Sequence, residues 1–153
     1  WKALTAAGQR LPRSGNVYVS VADQDKDVAA GLAVRLAKMG FGIYATKGTA
    51  AVLKELGVVA TTVYRISEKN TPDAIAVMRK GLVNMVINTP TEASGARRDG
   101  YMMRRLAVEL EIPMFTTIKG ASAAVTAMEY AAKNDTTVND LSSFHATSGV
   151  RAP

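Results

Sequence analysis

Short apolar runs alternate with amphipathic stretches along most of this chain. The run "NVYVSVA", residues 16–22, is apolar and β-branched enough to predict a buried strand. Residues 25–39 then place Val28, Leu32, Leu36 and Met39 on one helical stripe, with Gly40 as the stop signal. A strand at 43–45 precedes a helix at 49–56 that Gly57 closes. The β-branched segment "TTVYRI", residues 61–66, predicts a third strand. Thr71 and Pro72 supply a cap and a first-turn proline for a helix at 73–80, which ends at Gly81. A continuous apolar strand at 83–88, a helix at 101–110, a short strand at 113–115 and an Ala-rich helix at 121–133 complete the series.

Five strand–helix units predict an α/β protein with a parallel sheet covered by helices on both faces, a three-layer α/β/α arrangement. The organisation expected is a connector at 1–15, one domain at 16–134 and a polar, Ser/Thr-rich tail at 135–153, with no internal repeat. In such sheets ligands bind beyond the carboxyl ends of the strands. The residues that follow each strand therefore carry the functional question.

Composition narrows the answers. A chain of 153 residues is long enough to bury roughly 68–70% of its unfolded surface in one domain. The absence of cysteine excludes a disulfide framework, a thiol nucleophile and thiolate metal ligands, and fits a reducing, cytoplasmic setting. A single histidine, His145, lies in the polar tail and leaves little for a transition-metal site. No apolar run approaches the ~20 residues of a membrane span. The net charge of +6 favours acidic ligands. Lys and Arg are scattered and aromatic residues few, so nucleic acid is not the expected partner. The opening "WKALTAAGQRLPRSG" lacks an initiator Met and a signal peptide, and reads as a cut fragment.

Every predicted strand ends in hydroxyls, amides or cations: Ser20 and Lys26 after the first, Thr46, Lys47, Gly48 and Thr49 after the second, Arg65 at the third. Asn88, Thr89 and Thr91 follow the fourth, and Thr116, Thr117 and Lys119 the fifth. The sharpest candidate is the Thr46–Thr49 turn. A helix N-terminus offers free N–H groups and about half a positive charge. Gly48 would let an anion approach the backbone, two threonine hydroxyls would donate to it, and Lys26 or Lys47 would neutralise it. The bland alternative also stands: Thr49 caps its helix and Gly48 makes the turn. The segment is neither a G-x-x-x-x-G-K-[ST] loop nor a G-x-G-x-x-G fingerprint. Asp23, Asp25 and Asp27 lack the glycine and closing glutamate of a calcium loop and read as helix-start acids.

"GNVYVSVADQDK", "GFGIYATKGTAAVLKELG", "VYRI", "GLVNMVINTP" and "MFTTIKGASAAVTAM" resemble, in order and spacing, the carboxyl-terminal regulatory domain of the carbamoyl-phosphate synthetase large subunit, a methylglyoxal-synthase-like domain. The resemblance runs from about Gly15 to Asn134. It implies a sheet of order 3-2-1-4-5 and a sensor rather than a catalyst. Phosphorylated nucleotides, or in some members N-acetylglutamate, bind at the carboxyl edge in that family. By position, Lys26, Thr46 and Thr49 would hold the phosphate, while Ser20, Gly48, Arg65, Asn88 and Thr89 would line the sugar and base side. Arg65 stands where the best-known bacterial pattern has lysine, and Pro90 where it has a hydroxyl residue.

The implied partners are the remaining synthetase domains and a glutamine amidotransferase small subunit, without nucleic acid or membrane. ATP with magnesium or manganese would serve the parent synthetase, in pyrimidine and arginine synthesis, and no cofactor this segment. The alternative is a free-standing lyase acting on dihydroxyacetone phosphate. That chemistry needs a general base, and the position expected to carry it falls closest to Thr71.

Overall fold

The computed structural model describes residues 10–90 and 96–133, the side chains of 96 and 97 excepted. Within them the expected alternation forms one five-stranded sheet. Its elements are β1 (Asn16–Ser20), α1 (Lys26–Lys38), β2 (Gly42–Thr46), α2 (Lys47–Glu55), β3 (Ala60–Val63), α3 (Ala74–Arg79), β4 (Met85–Asn88), α4 (Ala96–Glu109), β5 (Met114–Phe115) and α5 (Ile118–Lys133). All pairings are parallel and the order is β3-β2-β1-β4-β5.

Alternation along the strands separates two cores. Val17 and Val19 of β1, Ile43 and Ala45 of β2, and Met85 and Ile87 of β4 face α1, α2 and α5, where Leu32, Leu36, Leu53 and Val125 are buried. Tyr18 and Val86 point the other way, against Val77 and Met78 of α3 and Met103 and Leu106 of α4. The layers are thus three helices, the sheet, and two helices. Leu11, ahead of β1, joins the first core. On the outside, Arg35 of α1 donates two hydrogen bonds to the Glu129 carboxylate of α5, at 2.8 and 2.7 Å, and a third to Thr126.

Several boundaries differ from the sequence reading, each for a local reason. β1 stops at Ser20 because the Ala22 N–H leaves the ladder and donates to Thr89 Oγ1, at 2.9 Å. The β3 ladder stops at Val63, since the Tyr64 N–H donates to the Pro72 carbonyl. Thr71 and Pro72 do not cap α3: they lie in a bend with a cis peptide, and Asp73 is the cap, accepting the Ala76 N–H at 2.7 Å. α2 begins at Lys47, with Thr46 as its extended N-cap residue, two residues before the expected start. α5 starts at Ile118 because the Thr117 hydroxyl accepts the Gly120 N–H.

α4 runs from Ala96 straight through Gly100, starting five residues before the expected 101. A Cβ at Gly100 would lie 3.4 Å from Asn88 Oδ1, so the glycine admits close approach of helix and strand. Val28 departs from the predicted apolar stripe: it is 53% exposed, and Ala29, Leu32, Ala33 and Leu36 form the buried face instead.

Leu53 is fully buried and ties α2 to the sheet. Leu53→Ala is expected to destabilise the fold by about 2–5 kcal/mol. Urea denaturation read by circular dichroism checks this; a loss much below about 1 kcal/mol would mean that the anchoring of α2 lies elsewhere.

Candidate functional site

Parallel register collects the candidate side chains. Ser20 of β1 pairs with Asn88 of β4. The preceding pair, Val19 with Ala45, puts Thr46 of β2 beside Ser20, and Thr46 in turn pairs with Val63 of β3. Ser20, Thr46 and Asn88 therefore share one row at the carboxyl edge, with Thr89 just beyond it and Arg65 two residues past Val63.

At the β2–α2 junction Thr46 is 3% exposed and Thr49 2%, although both carry hydroxyls. Their Oγ1 atoms are 3.3 Å apart. Thr49 is thus not the helix cap of the bland alternative; it sits in the first turn of α2 and faces the Thr46 cap residue across it. A Cβ placed on Gly48 would meet Lys26 Nζ at 3.4 Å, so the ammonium lies against the backbone of that first turn. Lys26 is partly buried and pairs with Asp23 at 2.7 Å. That hydrogen bond, with the ammonium's charge, holds the Asp23 carboxyl below the usual carboxylate range. Lys47, the other candidate cation, is exposed.

The second cluster lies under α3 and α4. Ser20, Arg65, Asn88 and Thr89 line a cleft with Tyr18, Asp99 and Met103. Its free space is ≈ 30 Å³, room for about one or two waters. Two of the candidates already bond within the chain: the Asn88 amide donates to the Ser20 carbonyl at 2.9 Å, and Thr89 accepts from Ala22. Of the other strand-end residues, Thr117 caps α5 and Lys119 faces a groove shared with Val28. Asp23, Asp25 and the intervening Gln24 form a 3-10 turn ahead of α1. Thr91 and His145 lie outside the described residues.

Asp99 and Tyr18 are residues the sequence reading missed. Asp99 is 8% exposed and accepts from both the N–H and the hydroxyl of Ser67, at 3.1 and 2.9 Å. It thereby clasps α4 to the turn after β3. Starting the helix at 101 hid it in a loop; an acid in the first turn of an earlier helix start is the signal that would have exposed it. Tyr18 reads in sequence as one more apolar strand residue. Among the described residues no three His, Cys, Asp or Glu side chains are grouped to hold a metal ion, and no helix is long and apolar enough to cross a membrane.

Residues 29–116 match the family model described as MGS-like domain. The chain belongs to the MGS-like domain family. Over 95% of its length it is 44% identical to the "carbamoyl phosphate synthase large chain, C-terminal section" of Methanopyrus kandleri. A similar share is 43% identical to the carbamoyl phosphate synthase large chain of Rubrobacter xylanophilus. The chain spans 27% and 14% of these two relatives. Its fold is like that of methylglyoxal synthase from Elizabethkingia anophelis, with a TM-score of 0.61 at 18% identity, covering 94% of this chain and 95% of that one. The MGS-like assignment and the strand order 3-2-1-4-5 agree with the resemblance drawn from sequence.

Tyr18 gives this MGS-like cleft a measurable signature. Burial pushes its phenol up to about 12, against the hydrogen bond of Ser20 and the charge of Arg65. The folded value lies above the model-peptide 10.0, so the contribution of Tyr18 to stability is intact below about pH 10 and is lost as pH rises toward about 12. Ultraviolet titration is expected to show one phenol ionising near that upper value. Tyr18→Phe should remove that step and flatten the alkaline loss of stability; an unchanged titration curve would place the late phenol elsewhere.

Proposed function

We propose that this MGS-like domain is the regulatory unit of a carbamoyl-phosphate synthetase large subunit, and that it binds a phosphorylated nucleotide at the carboxyl edge of its sheet. The observation that carries the reading is the buried Thr46–Thr49 hydroxyl pair at the first turn of α2, with Lys26 Nζ against Gly48 between them in sequence. Hydroxyls, free N–H groups and a partly buried ammonium converging on one point suit a phosphate dianion. Thr46, Thr49 and Lys26 hold the phosphate in this reading; Ser20, Gly48, Arg65, Asn88 and Thr89 face the sugar and base. The similarity to carbamoyl phosphate synthase large chains supports the parent, in which this segment modulates carbamoyl phosphate synthesis for pyrimidines and arginine.

The cleft as it stands has only ≈ 30 Å³ of free space, so in this reading nucleoside binding parts the turn at 66–68 from α4, where Ser67 and Asp99 meet. That requirement supplies the regulatory step. The ligand favours one arrangement of the α4 side over another, and a difference of about 1–3 kcal/mol gives roughly 5- to 150-fold control of a neighbouring activity.

A lyase reading on dihydroxyacetone phosphate has less support. Thr71 lies exposed in the bend. Three carboxylates at this edge are engaged, Asp73 with Ala76, Asp99 with Ser67 and Asp23 with Lys26.

Calorimetry with uridine and inosine monophosphates, and with N-acetylglutamate as the competing ligand class, tests the proposal. Thr46→Ala with Thr49→Ala is expected to weaken nucleotide binding by about 10- to 100-fold, the loss of hydrogen bonds to a charged group. Thr46→Ser with Thr49→Ser keeps both hydroxyls and should retain most of the affinity. Equal binding by the double-alanine protein, or none by the wild type, would remove the phosphate assignment.

A further inference from the structure

We propose that Asp23 sets the affinity of the Thr46–Thr49 turn for anions, by occupying Lys26 in the ligand-free protein until an incoming phosphate takes the ammonium from it. This rests on the anion site proposed above. The position of Lys26 is electrostatically awkward by itself. Its Nζ lies 3.4 Å from the Cβ site of Gly48, over the first turn of α2, where the helix dipole presents its positive end. A cation there needs an anion between or beside the two positive groups. In the ligand-free chain Asp23 Oδ1 supplies it, at 2.7 Å.

Asp23 is built to leave. Its side chain is 91% exposed, so no packing holds it in place. It does not occupy the cap position of its 3-10 turn, which is Ala22. Two other carboxylates near this edge differ. Asp73 satisfies the Ala76 N–H, and Asp99 satisfies the N–H and hydroxyl of Ser67. Removing either would orphan a backbone donor. Releasing Asp23 orphans only the Lys26 ammonium, the group a phosphate would occupy. Meanwhile the freed carboxylate returns to water, where an exposed ion pair is of little worth. The exchange is therefore one anion for another at a fixed cation, with the i,i+3 spacing of Asp23 and Lys26 keeping the placeholder within reach.

A plain change of charge near the site would also alter anion affinity, and Asp27 separates the two effects. It is exposed, next to Lys26 on α1, and in no ion pair among the described residues. Inorganic phosphate is titrated by calorimetry into the full 153-residue chain at a constant ionic strength of about 0.15 M, where exposed charges are screened within roughly 8 Å. Asp23→Asn is expected to tighten phosphate binding by about two- to fivefold, with Asp27→Asn changing it much less. In a Lys26→Met background the gain from Asp23→Asn should vanish, because the ammonium it releases is gone. Equal tightening by both asparagine variants, no tightening by Asp23→Asn, or a gain that persists without Lys26 would each overturn the placeholder role while leaving the anion site in place. Failure of phosphate to bind the wild type and every variant would overturn the site itself, and this role with it.

Discussion

The register of parallel strands around β1 is the constraint from which the rest of this molecule follows. β1 pairs with β2 on one side and β4 on the other, and all run the same way. Ser20, Thr46 and Asn88 therefore stand in one row, and any chain leaving that row must turn back over the sheet. α2 starts one residue past its strand, so its positive end cannot lie anywhere but this edge. A slip of one residue would exchange the faces of every strand. It would put Tyr18 among the alanines of α1 and turn Thr46 from the edge into the core.

The same row answers two demands that pull against each other. Buried polar groups need partners, and a binding edge needs groups left over for a ligand. In the cleft under α4 the chain has satisfied the first demand: Asn88 bonds Ser20, Thr89 bonds Ala22, and Asp99 bonds Ser67. At the β2–α2 turn it has done so only minimally. Thr46 and Thr49 share one hydrogen bond between two hydroxyls, and Lys26 relies on an exposed acid. Polar capacity is thus kept at the β2–α2 turn and tied down in the cleft under α4.

This division follows the two cores. Lys26 and Thr49 sit on helices that pack the first core and Thr46 ends β2, whereas Asp99 and Met103 lie on α4 of the second, with Arg65 beside them in the cleft. A ligand long enough to reach from one to the other would join layers that otherwise meet only through the sheet. The Ser67–Asp99 clasp is polar and local, and neither residue belongs to either core.

The sequence by itself determined the α/β class, the five strands and the clustering of hydroxyls and cations at their carboxyl ends, because apolar periodicity and strand-end chemistry are local. It also carried the Thr-Lys-Gly-Thr turn, since a helix starting straight off a strand leaves its signature in neighbouring residues. What only the tertiary structure decided rests on contacts across long separations. Asp99 becomes a clasp because Ser67, 32 residues away, comes to it. Gly100 lies inside α4 where Asn88 of β4 comes within 3.4 Å of its Cβ site, and β1 ends early because Thr89 claims the Ala22 N–H. Val28 leaves its predicted stripe because small alanines, rather than the valine, suit the close packing of α1 on the sheet. Which of Lys26 and Lys47 lies against Gly48 was likewise beyond periodicity: both open a helix, and only the fold lays Lys26 there.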